Sequence, residues 1–98
     1  MIKVENKHFY KGPGIYIGRG SILGNPFRIV PGNVSREEAI EKYKVFFSFE
    51  MTANRVFYDF VRSLITKARI DDLTLICWCA PKPCHGDFIK SFIEEQIL

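Results

Sequence analysis

The stretch DDLTLICWCAPKPCHGD, residues 71–87, decides how this chain folds. Its first half, DDLTLICWC over 71–79, is apolar on both faces, which predicts a central β-strand covered on two sides. Strand alternation places Cys77 and Cys79 on one face at the carboxyl end, with Trp78 on the other. Ala80-Pro81-Lys82-Pro83 turns the chain, and a helix starts near Pro83–Cys84 with Phe88, Ile89, Phe92, Ile93 and Ile97 along one face.

Working backward, 35–68 reads as two further helices. Ser35-Arg36-Glu37-Glu38 fits a capping box, with Ser35 as N-cap and Glu38 reaching back to it. Ala39, Ile40, Tyr43, Phe46 and Phe47 follow at helical spacing. After a break near Met51–Asn54, where Thr52 or Asn54 caps the next helix, Phe57, Phe60, Val61, Leu64, Ile65 and Ala68 form a second apolar stripe. The first third is β-rich and irregular. Ile2 and Val4 alternate with polar neighbours, KGPG (11–14) breaks the chain, IYIGR (15–19) reads as a second strand, and FRIV (27–30) is a strand or a packed extended segment before the turn PGN. The expectation is one α/β domain over 1–98, a short mixed sheet with about three helices on it, Rossmann-like, in three layers or two.

Ninety-eight residues suffice for one core, and 47% hydrophobic with 26% charged residues is ordinary for a soluble globular chain. No apolar run approaches the roughly 20 residues that span a bilayer, so no membrane association is expected. The opening MIKVENKHFY lacks the pattern of a secretory leader, which implies a cytoplasmic location. Three clustered cysteines argue against a disulfide framework, leaving thiols or metal ligands. A net charge of +3 from dispersed basic residues does not point to nucleic acid.

Two loops hold the candidate chemistry. GRGSILGNPF (18–27) offers Gly18, Arg19, Gly20, Ser21, Gly24 and Asn25 behind a predicted strand, a composition that either cradles an anion on backbone N–H groups or merely builds turns. In the second loop three readings stand side by side. Cys77, Cys79 and Cys84, with His85 or His8, supply the donor types of a zinc site, although C-x-C-x4-C-H is not a usual zinc spacing. Alternatively Cys84 is a nucleophile or redox centre, its pKa lowered by the helix N-terminus, tuned by His85 or Asp87 and resolved by Cys79. In the third reading Cys77 and Cys79 are small buried hydrophobes of the strand, Asp87 is a local cap and His85 is a surface or ligand-facing group. The strand-to-helix placement favours a pocket shared by both loops, with Arg19, Ser21 and Asn25 on one wall and Cys84, His85 and Asp87 on the other, taking a small anionic ligand.

YIGRGSILGNPF, SREEAIEKY and LICWCAPKPCHGD, in this order and from Tyr16 to about Phe88, resemble the family termed domain of unknown function 4326, small bacterial and phage proteins. The resemblance implies a compact α/β fold in the cytoplasm of a bacterial cell or infected host, and a nucleotide-related ligand. It points to Gly18, Arg19, Gly20, Leu23, Gly24, Asn25, Pro26, Phe27, Arg36, Glu37 and Tyr43 besides the cysteine loop. The expected function is therefore a nucleotide-binding domain, enzymatic or not. The alternative is a module that binds a host protein through Tyr10, Tyr16 or Phe49, with the cysteines as a structural corner or zinc clasp.

Overall fold

In the computed structural model, which describes residues 1–98, the chain runs β1 (Ile2–Asn6), β2 (Ile15–Tyr16), α1 (Arg36–Ala53), α2 (Arg55–Ile70), β3 (Leu73–Cys77) and α3 (His85–Ile97). β3 is central in the sheet order β1-β3-β2, and both neighbours pair with it in parallel. The sheet is thus parallel throughout rather than mixed. An antiparallel pair needs only a tight hairpin, whereas here segment 7–14 and the two long helices carry the chain back before each new strand. The register Asn6↔Cys77 and Tyr16↔Ile76 brings the carboxyl ends of all three strands to one edge. The Ile17 N–H extends the β2 pairing to the Ile76 carbonyl at 2.9 Å.

The helices begin where local chemistry supplies acceptors. Ser35 Oγ accepts the Glu38 N–H at 3.1 Å, while the Glu38 side chain stays exposed, so that capping box is only half formed. Asn54 serves two helices: its own N–H closes α1 on the Glu50 carbonyl at 2.9 Å, and its Oδ1 accepts the Phe57 N–H of α2 at 3.1 Å. The complete capping box lies at α3. There the Cys84 N–H donates to Asp87 Oδ2 at 3.1 Å, and Cys84 Sγ accepts the Gly86 N–H at 3.3 Å.

α2 and α3 pack on one face of the sheet, and α1 packs against both of them. Leu73, Leu75 and Cys77 are fully buried in a single cluster with Tyr43, Phe47, Phe57, Val61, Leu64, Ile89 and Ile93. Thr74 and Ile76, on the other face, are half-buried; there Gly14 lies against Ile76 with no room for a side chain. The domain therefore has two layers, and the second face of β3 is covered by chain rather than helix. Segment 27–30 forms no strand and makes only one bridge, Val30 to Val34, around Gly32 at φ 77°. No helix is long and apolar enough to cross a membrane.

Phe47 is the hub of the core. Its ring meets Phe57 at 5.3 Å, Phe88 at 5.2 Å and Phe92 at 4.9 Å between centroids, all edge-to-face, which joins all three helices. Phe47→Ala should cost about 3–5 kcal/mol by urea denaturation, a large share of the 5–15 kcal/mol typical of a domain. Asn54→Ala should cost about 1 kcal/mol; a loss under a few tenths would show that the shared cap does not hold the α1–α2 corner.

Candidate functional site

β3 ends at Cys77, two residues before the strand expected from sequence, so Cys79 lies in the turn that follows and not on the strand. That turn is closed by the Lys82 N–H on the Cys79 carbonyl at 2.9 Å and contains a cis Ala80–Pro81 bond. Residues remote in sequence clamp it. Asn6 Nδ2, at the end of β1, donates to the Trp78 carbonyl at 3.1 Å and the Ala80 carbonyl at 2.8 Å. Arg36 Nη1, at the start of α1, donates to the Pro83 carbonyl at 3.0 Å. The Lys7 N–H reaches the Cys77 carbonyl at 2.7 Å.

His85 is buried, at 7% exposure, where a surface position was one expectation. Its Nε2 lies 2.6 Å from the Ile17 carbonyl oxygen. A carbonyl only accepts, so Nε2 carries the proton and Nδ1 keeps its lone pair. Burial holds the His85 pKa below the usual histidine range, against the opposing pull of the Ile17 carbonyl and Asp87. The Tyr43 ring packs edge-on at 4.9 Å, and its buried hydroxyl, pushed up by burial, donates to the Leu23 carbonyl at 2.7 Å. The next residue, Gly86, is tightly packed: a Cβ there would lie 2.9 Å from Ile17 Cδ1 and 3.0 Å from Val4 Cγ1, so a larger residue would require those side chains to shift.

The Sγ atoms of Cys77 and Cys84 are 3.5 Å apart, both buried. The Cys84 thiol and the N–H groups of Ala80 and Cys79 stabilise a thiolate on Cys77 and lower its pKa. The Cys77 contact and burial raise Cys84, outweighing the Gly86 N–H and reversing the lowered Cys84 pKa expected from its helix-capping position. Cys79 is half-buried and outside this pair. No three His, Cys, Asp or Glu side chains converge as a metal-binding group. The zinc reading of Cys77, Cys79 and Cys84 thus lacks its donor set: Cys79 has left the strand and His85 Nε2 is engaged by Ile17.

The glycine loop is built largely on its own backbone. Gly18 O accepts from both the N–H and Oγ of Ser21, at 3.1 and 2.6 Å, and Ser21 O accepts the Gly24 N–H at 3.1 Å. A Cβ on Gly24 would meet Gly18 O at 2.6 Å. Asn25 ties the loop to α1, with Nδ2 on the Ala39 carbonyl at 3.2 Å and Oδ1 accepting the Phe27 N–H at 2.9 Å.

Between the two loops lies a cleft of about 360 Å³. Gly18, Arg19 and Asn25 line it from the glycine loop, Arg36 from α1, and Cys77, Cys84 and His85 from the corner. Gly20, Ser21 and Gly24 shape the loop without lining the cleft, and Asp87 stays outside it as an exposed cap. Sequence reasoning missed Arg28, which adds a third guanidinium, and the apolar wall of Ile29, Ile40 and Trp78. Three arginines and no carboxylate face this space.

The family model for domain of unknown function (DUF4326) matches residues 2–95. The chain belongs to the DUF4326 family. It is also similar to a protein of Enterobacteria phage T4, described as an uncharacterized 12.4 kDa protein in the nrdA-td intergenic region, with 37% identity over 103 residues covering 97% of this chain and 80% of that protein. No solved structure matches. In this DUF4326 domain the three sequence blocks that carried the resemblance all reach one cleft: the glycine loop, the start of α1 and the cysteine corner.

Because the folded pKa of His85 is lowered, the unfolded chain binds a proton first as pH falls. Its contribution is intact above the ordinary histidine pKa of about 6.5 and is lost below it, by at most about 1.36 kcal/mol per pH unit. His85→Gln keeps a donor for Ile17 but does not titrate. Urea denaturation at pH 5.0–6.5 should show a shallower loss in the variant; parallel curves would assign the slope to other groups.

Proposed function

We propose that the cleft binds a small phosphate-bearing molecule, a nucleotide or nucleotide derivative, and that this binding is the domain's function, with or without a reaction following it. The observation that carries this reading is the charge of the lining: Arg19, Arg28 and Arg36 without one Asp or Glu. Guanidinium groups bind phosphate oxygens in pairs, and their mutual repulsion in an empty site is relieved by an anion. The position supports it, since parallel sheets place ligands beyond the carboxyl ends of their strands. Size and wall support it too. About 360 Å³ is at the lower end of small-molecule sites, and Phe27, Ile29, Ile40 and the half-exposed Trp78 ring offer an apolar surface for a planar base. The interaction-module reading has less behind it. Tyr10 and Tyr16 are half-buried, with hydroxyls committed to the Pro13 and Arg19 carbonyls, and only Phe49 of the three rings stands exposed.

A thermal-shift screen of nucleoside mono- and diphosphates, pyrophosphate and inorganic phosphate tests the proposal. A ligand at 100 times its Kd adds about 2.7 kcal/mol, which for a domain of this size raises Tm by about 10–20 °C. Arg19→Ala and Arg28→Ala remove side chains that hold no part of the fold by hydrogen bond, and should each raise the Kd about tenfold or more, which cuts the stabilisation at that ligand concentration to about half. If none of these compounds stabilises the wild type, or the arginine variants respond equally, the proposal fails.

A further inference from the structure

We propose that Cys77 and Cys84 form a redox-active dithiol in the floor of the cleft, passing reversibly between paired thiols and a Cys77–Cys84 disulfide. The inference does not depend on which molecule the arginines hold. Three features of the structure carry it. The Sγ atoms are already 3.5 Å apart, against about 2.05 Å in a disulfide. Both residues line the cleft, which opens a path for a small oxidant to otherwise buried sulfur. A backbone donor is also directed at the pair, the Gly86 N–H at Cys84 Sγ, 3.3 Å away. The lowered pKa of Cys77 adds that the nucleophilic form is present near neutral pH.

With a hydroperoxide as oxidant, the Cys77 thiolate attacks one peroxide oxygen and the O–O bond breaks. Cys77 becomes a sulfenic acid, and the departing hydroxide takes a proton from solvent to leave as water. The Cys84 sulfur then bonds to Cys77 Sγ, and the sulfenic oxygen leaves as a second water with the Cys84 proton. Two electrons pass from the two sulfurs to the peroxide. Two thiol groups of a small reductant reverse the change by exchange: the first forms a mixed disulfide and the second displaces it, so that the reductant's two sulfurs end as a disulfide and their protons pass to Cys77 and Cys84.

The test uses the full chain, reduced, desalted and treated with equimolar hydrogen peroxide before alkylation. Expected are a mass loss of two hydrogens, fragmentation that places the link between positions 77 and 84 with Cys79 alkylated, and recovery of both thiols with dithiothreitol. The reaction rate should rise with pH at a midpoint below the ordinary thiol value of about 8.5. Cys79→Ser should behave as wild type. Cys84→Ser, which leaves a good N-cap residue in place, should stop at a Cys77 sulfenic acid captured by dimedone. A link through Cys79, three alkylatable thiols after peroxide, oxidation beyond sulfenic acid without a link, or failure of dithiothreitol to reverse the change would each overturn the assignment.

Discussion

The architecture of the cleft hangs on one hydrogen bond, from His85 Nε2 to the Ile17 carbonyl, between residues 68 apart in sequence. It fastens the first turn of α3 to the chain just beyond β2, and those are the two sides of the site. A made hydrogen bond adds only about 1 kcal/mol, but leaving such a buried pair unmade costs about 1–3 kcal/mol. That asymmetry fixes position more than it adds stability. Gly86 completes the constraint by letting the helix approach β1 and β2 to within contact of Val4 and Ile17.

From this junction the rest of the site follows. With α3 seated, Cys84 at its N-cap reaches the Cys77 sulfur at the end of β3. The turn between them is held by Asn6 from β1 and Arg36 from α1, so β1, α1, β3 and α3 all contribute to one corner. Arg36 is both a clamp on Pro83 and a charge in the cleft, which couples the start of α1 to the site's electrostatics. A net charge of +3 is modest for the whole chain; three guanidinium groups gathered around one cleft give the same sign of charge a larger local effect.

The core and the site meet at Tyr43. Its ring packs on His85 and on Phe47, and its hydroxyl holds the glycine loop at Leu23. Any loosening of the aromatic core would therefore reach the cleft through one side chain. The sheet contributes direction more than strength: with only three short parallel strands, most apolar burial comes from the helices over the Leu73, Leu75 and Cys77 face.

The helices could be read from sequence because their signals are local. Apolar spacing and the caps at Ser35 and Asn54 depend on neighbours within a turn or two, and the apolar run through Leu73–Cys77 marks a buried strand by itself. The chain also showed that its chemistry gathers in two loops, and which residue types those loops hold. The tertiary structure decided the rest. Strand direction, the choice of Cys77 rather than Cys79 as the partner of Cys84, the burial of His85, the roles of Asn6 and Arg28, and the exclusion of Ser21 and Asp87 from the cleft all depend on contacts between residues far apart along the chain. Such contacts are set by how whole elements pack, and no local pattern of residues encodes that geometry.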